Sequence, residues 1–171
     1  MRHILSFITV FALLFTSCTG PQGPPGFDGL QGPPGFDGET FIGSAFEIVI
    51  DFNADNNFEF FEPYGFEVFP SDVTLVYIEW DLDNGESIWR LLPQTVYFDN
   101  GSVLVYNFDF TQQDVRFFLD GTANFNTLDP VWTQSQAFRV VVLPADNVDG
   151  IDITDYNAVS NANNLETFDI R

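Results

Sequence analysis

Carboxylates dominate the chemistry that this chain can offer: 25 Asp and Glu stand against five Lys and Arg, for a formal net charge of −20. Past residue 18 there is no histidine, no lysine and no second cysteine, since His3 and Cys18 are the only ones in the sequence. That inventory removes Ser-His-Asp and Cys-His nucleophilic sites, Schiff-base lysines, histidine-ligated transition metals and Walker-type phosphate loops. Two chemistries survive. One is hydrolysis by a pair of carboxylates, the glycosidase arrangement, which requires only two Asp or Glu at the right separation; no pair in the sequence is singled out by spacing. The other is calcium binding by hard oxygen donors grouped in loops. Asp51, Asn53 and Asp55 alternate across one turn, and Asp146, Asp149 and Asp152 recur every three residues, continuing to Asp155. Neither group completes a known loop: setting Asp149-Gly150 at the centre of an EF-hand puts Ala145 and Tyr156 at the first and last ligand positions. The expectation is therefore no obligatory cofactor, with calcium as the candidate ion and ordinary acidic turns as the alternative.

The single cysteine suggests a different kind of chemistry. Residues 1–17 comprise a short basic start, Met1-Arg2-His3, then a mostly apolar run from Ile4 to Phe15 and small polar residues leading into Cys18. Twelve residues are too few for a membrane span, which needs about 20. The run reads as a removable export signal whose Thr16-Ser17-Cys18 matches the end of a lipobox, with Phe15 where leucine is usual. Lipid attachment at Cys18 would tie the mature chain to a membrane and leave it without any thiol, so no disulfide could staple it. An ordinary secretory signal is the competing reading.

Two residues later the composition changes. From Gly20 the chain runs GPQ, GPP, GFD, GLQ, GPP, GFD, GET, with glycine at Gly20, Gly23, Gly26, Gly29, Gly32, Gly35 and Gly38. A collagen triple helix demands this period because only glycine fits at its axis. Residues 18–40 read as the lipidated Cys18 followed by a stalk, whose triplet residues 20–40 would reach roughly 65 Å as an extended polyproline-type segment. A triple helix implies a homotrimer; the same residues in a single chain make a semi-rigid spacer.

Whatever the acidic loops do, a framework must hold them, and residues 41–171 supply one. Phe46, Ile48, Ile50 and Phe52 alternate with polar residues, the period-two signature of a half-buried strand. Similar runs occupy 57–61, 65–69, 73–82, 87–92, 95–99, 102–110, 114–119 and 137–143. Asn84-Gly85 and Asn100-Gly101 suit type I′ hairpin turns, while 111–113 and Asp120-Gly121 read as further turns. The expected fold is all-β, an antiparallel sandwich or jelly roll of about eight strands. A short helix capped within Asp152-Ile153-Thr154-Asp155 should run to about Ala162, with Tyr156 and Val159 towards the sheet. Of the tryptophans, Trp80 and Trp89 sit among apolar strand residues and are expected in the core. Trp132, in the loop-like DPVWTQSQ, is the candidate for an exposed ligand contact.

Taken together, the anchor cysteine, the triplets and the β-patterned remainder resemble the small collagen-repeat lipoproteins of Bacteroidetes-type bacteria. The segments IWRLLPQTVYF (88–98), LVYNFDFT (104–111), DVRFFLDG (114–121) and FRVVVLPAD (138–146) carry the likeness. The resemblance implies an outer-membrane lipoprotein of the cell envelope and transfers no functional residue. With so acidic a surface, nucleic acid is excluded as a partner; a surface glycan or a protein remains. The reading is of a lipid-anchored structural or binding module, with a carboxylate-dependent glycan hydrolase as the alternative.

Overall fold

The structure, a computed structural model, describes residues 43–165 and 169–171. The signal 1–17, Cys18 and the seven triplet glycines lie outside the described residues. A compact unit extends over Glu39–Arg171, and its described part is built almost entirely of strands.

Nine strands are present among the described residues: β1 Ser44–Ile50, β2 Glu59–Pro63, β3 Asp72–Asp83, β4 Glu86–Leu91, β5 Gln94–Tyr97, β6 Val103–Phe110, β7 Asp114–Gly121, β8 Gln136–Pro144 and the two-residue β9 Asp169–Ile170. They form a larger sheet in the order β4-β3-β8-β1-β9 and a smaller one in the order β2-β7-β6-β5. All pairings are antiparallel except β1 with β9. One short helix, α1, covers Tyr156–Asn163.

Alternation dictates how the sheets meet. Phe46, Ile48 and Ile50 of β1, Val76 and Ile78 of β3, and Phe138, Val140 and Val142 of β8 form one buried surface. Leu104 and Tyr106 of β6 and Val115, Phe117 and Leu119 of β7 oppose it in the same core, giving a sandwich-like packing of two sheets. The rings of Phe117 and Phe138 touch across it with centroids 5.0 Å apart. On the other face of the larger sheet, Leu75, Tyr77, Val141 and Leu143 are covered by Tyr156, Val159 and Leu165. The centres of β3 and β8 are therefore buried on both faces, which is why LVYI and VVVL are continuous apolar runs. Asp155 caps α1 by accepting from the N–H groups of Asn157 and Ala158 at 2.9 and 3.3 Å, and Asn164 ends it in the left-handed conformation.

Three details correct the sequence expectations. Residues 65–69 form no strand: Gly65 turns the chain at φ +73°, and Tyr64 is buried with its hydroxyl 2.9 Å from Thr74 Oγ1. Val68 is buried as well, and its carbonyl accepts from the Gln112 side chain. Apolar residues there plug the core without a ladder. At Asn84-Gly85 both residues have positive φ, 52° and 91°, as a type I′ turn requires, but at Asn100-Gly101 only the glycine does, at 79°. Gly101 N–H donates to the Phe98 carbonyl, making a type I turn closed by a left-handed glycine. Asp120 and Gly121, expected as a turn, remain paired to Val105 and Leu104.

Burial raises the ionisation of Tyr64, Tyr77 and Tyr106 above the usual tyrosine value of about 10. Because the folded state holds these protons more tightly than the unfolded chain, stability is fully present below about pH 10 and falls as pH rises through the folded values, by up to about 1.4 kcal/mol per pH unit for each tyrosine. Denaturant midpoints measured from pH 8 to pH 11.5 should be flat and then drop. A flat profile throughout would show that the three hydroxyls are accessible to base.

Candidate functional site

A cleft of about 290 Å³ opens where β3, still paired to β4, runs past the end of its ladder with β8, lined by Ile78, Glu79, Trp80, Tyr106, Val131, Trp132 and residues 135–137. Its parts come from three distant places in the chain. The register of β3 against β4 shifts between Glu79 and Asp81, a bulge that leaves Trp80 without a direct partner. Tyr106 rises from β6 and meets Trp80 edge to face, with centroids 6.5 Å apart.

The third wall is the loop leading into β8. Pro130 opens a single 3-10 turn, Pro130–Trp132, which Asp129 caps by accepting from Val131 N–H at 3.1 Å. Tyr106 donates its hydroxyl to the Trp132 carbonyl at 2.7 Å. Gln136 Nε2 donates to the carbonyls of Val131 and Gln134 at 2.9 and 2.7 Å. Ser135, with φ 53°, donates its N–H to Asp51 Oδ1 at 2.7 Å, and Phe52 N–H reaches the Thr133 carbonyl at 2.7 Å. So many ties give the loop a fixed shape, and a fixed wall recognises a ligand at low entropic cost.

Trp132 was expected as an exposed contact. It is instead partly buried against the main core, edge-on to Phe98 with centroids 5.6 Å apart, and still contributes to the cleft. Trp80, expected in the core, both packs against the core and lines the cleft. Trp89 lies on the α1 side, beside Tyr156 and under the Arg139 guanidinium. Tyr106 and Trp80 were not legible as site residues, because the bulge and the loop that bring them together leave no periodic mark.

The acidic candidates are used locally. Asp51 holds the cleft loop through Ser135. Asn53 caps a one-turn 3-10 helix by accepting from the N–H groups of Asp55 and Asn56, and Asn56 answers by accepting from Asn53 N–H. Asp152 accepts from the Thr154 hydroxyl and N–H at 2.6 and 3.0 Å, bonds that hold its carboxyl below the usual aspartate range. Asp146 and Asp149 are exposed in the stretch before it. Among the described residues no group of three or more His, Cys, Asp or Glu is placed to hold a metal ion. Asp51, Asn53 and Asp152 are thus engaged in bonds that shape their own loops. Of the carboxylates, Glu79 alone is among the cleft-lining residues, and it accepts the Ser87 hydroxyl.

The arginines show a pattern of their own. Each described arginine lies over an aromatic ring: Arg90 over Trp80 at 4.5 Å, Arg116 over Phe118 at 4.5 Å, Arg139 over Trp89 at 4.2 Å and Arg171 over Phe46 at 4.1 Å. Arg116 also pairs with Glu59 and Asp109, Arg139 with Glu47, and Arg171 with Glu62. Compared with family models, with curated proteins and with solved structures, the chain matches none.

Proposed function

We propose that this chain is a cell-envelope binding protein, held to a membrane by lipid on Cys18, in which the Gly20–Thr40 stalk presents the β-rich head and its aromatic cleft to the surroundings. The observation that carries the reading is the cleft itself. Three aromatic side chains from β3, β6 and a heavily tied loop line an open cleft of about 290 Å³, the concave, aromatic-lined kind of surface that small ligands use. Support for display comes from the sequence: the last triplet, GET at 38–40, meets the start of the compact unit at Glu39. The resemblance to collagen-repeat lipoproteins points to the outer membrane. The unbroken glycine period favours a homotrimer, because a flexible single chain has no steric need for it. Seven triplets alone bury too little to order three strands, so the heads or the clustered lipids must supply high effective concentration.

Two measurements test this. Metabolic labelling with a fatty-acid analogue should mark the wild type and leave Cys18→Ser unmarked; wild type released unlabelled into the medium would sink the anchor. Light scattering on the Cys18→Ser chain lacking residues 1–17 should give three times the monomer mass, falling to monomer or to a weaker trimer when 20–40 are deleted. A monomer in both cases would reduce the triplets to a spacer.

A further inference from the structure

Arg90 stands apart from the other described arginines. In a chain carrying 25 carboxylates, its exposed guanidinium has no acidic group within 4.0 Å among the described residues and makes no hydrogen bond to any of them. Its one contact of note is the face of Trp80, a wall of the cleft. The Arg90 guanidinium lies over the Trp80 ring with Cζ 4.5 Å from its centroid, on an exposed residue, and a guanidinium is matched in shape to a carboxylate. The positive charge of Arg90 would attract a nearby carboxylate, yet none of the described carboxylates lies within 4.0 Å of it.

We infer that the cleft takes a saccharide bearing a carboxylate, a uronic acid unit, with Arg90 receiving the carboxylate. This rests on the reading of the cleft as the binding site. Trp80, Tyr106 and Trp132 offer the apolar surfaces that suit the C–H faces of a pyranose. Ser135 Oγ and Gln136 Oε1 have no hydrogen-bond partner among the described residues and are not sealed in the interior, so both are open to sugar hydroxyls. A cavity of about 290 Å³ holds one or two sugar rings, too small for a folded partner. The net charge of −20 repels an anionic ligand at long range, but at about 0.15 M salt that field is screened beyond about 8 Å while the contact with Arg90 is not. Arg90 is not itself a lining residue but contacts one, Trp80, and a charge-assisted, bidentate bond to it then decides between an acid and its neutral analogue.

The test is a tryptophan-fluorescence titration of the full chain in mild detergent with digalacturonate, its dimethyl ester and an acidic tripeptide. Digalacturonate should saturate, with the ester bound about 10- to 100-fold more weakly, the factor expected for losing hydrogen bonds to a charged group. Arg90→Gln should weaken the acid by a similar factor and leave the ester unchanged, with the thermal midpoint of the variant showing that the fold is intact. Val131→Trp, at an exposed position on the lip, should block both sugars. Equal affinity for acid and ester with a silent Arg90→Gln would overturn the carboxylate assignment and keep the cleft as a neutral sugar site. A tripeptide that competes as well as the sugar would overturn the saccharide. Binding unaffected by Val131→Trp would overturn the cleft reading as well.

Discussion

Phe138→Ala is expected to remove about 4 kcal/mol of stability, within the range of about 3–5 for truncating a buried phenylalanine. The residue is 1% exposed, the third of β8, paired to Ile48 on one side and Ile78 on the other. Its ring is the hub between the sheets, with Phe117 at 5.0 Å and Phe52 at 6.1 Å. Phe117 is fixed on the β6–β7 ladder and Phe52 by its N–H bond to the Thr133 carbonyl, so the surroundings cannot collapse into the hole and the transfer loss and the cavity loss add. Set against the total of about 5–15 kcal/mol available to a typical domain, this one truncation leaves a marginal fold. Urea unfolding of the two proteins should give a large drop in midpoint at nearly constant slope. Phe110→Ala is the control, since that ring is 48% exposed and should cost much less. Equal losses at both positions would mean that the two-sheet core does not hold the domain.

Gly121→Ala should cost about 3 kcal/mol, far more than its modest chemistry suggests. At φ +117° the backbone is already where side chains rarely go, and a Cβ would lie 2.2 Å from the Val103 carbonyl oxygen. That oxygen is not free to retreat: it accepts from the N–H groups of Thr122 and Ala123 at 2.8 and 2.9 Å. Accommodating a methyl group would break the pair of bonds that ends β7 against β6. Gly85 makes the comparison sharp, because it also has positive φ, 91°, yet nothing lies within 4 Å of an added Cβ. Gly85→Ala should therefore lose only about 1 kcal/mol. Thermal midpoints of the two variants separate conformational strain from collision. If they fell together, the contact at Val103 would be irrelevant.

The strands with one wet face were the easiest to read. In β7, Val115, Phe117 and Leu119 alternate with Arg116 and Phe118, so both the element and its inward face were visible in the sequence. β3 and β8 were visible as strands but not as double-sided ones, because α1, which covers their second face, lies in a different part of the chain. The run 65–69 was misread since periodicity records burial and does not record which backbone groups find ladder partners. Asp120-Gly121 was misread for a related reason: a glycine needed to pass close to another backbone looks the same as one needed to turn. The site was least legible of all. Trp132 drew notice by its loop setting, but Trp80, Tyr106 and Arg90 become neighbours through one bulge and one loop whose geometry depends on hydrogen bonds over long separations, such as Ser135 to Asp51. The acidic repeats at 51–55 and 146–152 were the least decidable from sequence, since short polar side chains that cap turns, as Asn53 and Asp152 do, resemble in spacing those that ligate cations.

The seven-pair ladder between β1 and β8 runs from Ser44 opposite Val142 to Ile50 opposite Gln136. The chain enters the head just ahead of Ser44, while Gln136 stands at the cleft, at the far end of the ladder. A pull on the chain before Ser44, resisted by whatever occupies the cleft, would thus be directed along the strands and not across them. Under that loading the ladder's hydrogen bonds share the force in shear and must fail together, where a load applied at one end of a hairpin would open them one after another. β9 adds a second, parallel partner to the same strand, and Arg171 N–H bonds to the Glu47 carbonyl beside it. β1, the first described strand, is flanked on both sides, a geometry that resists tension.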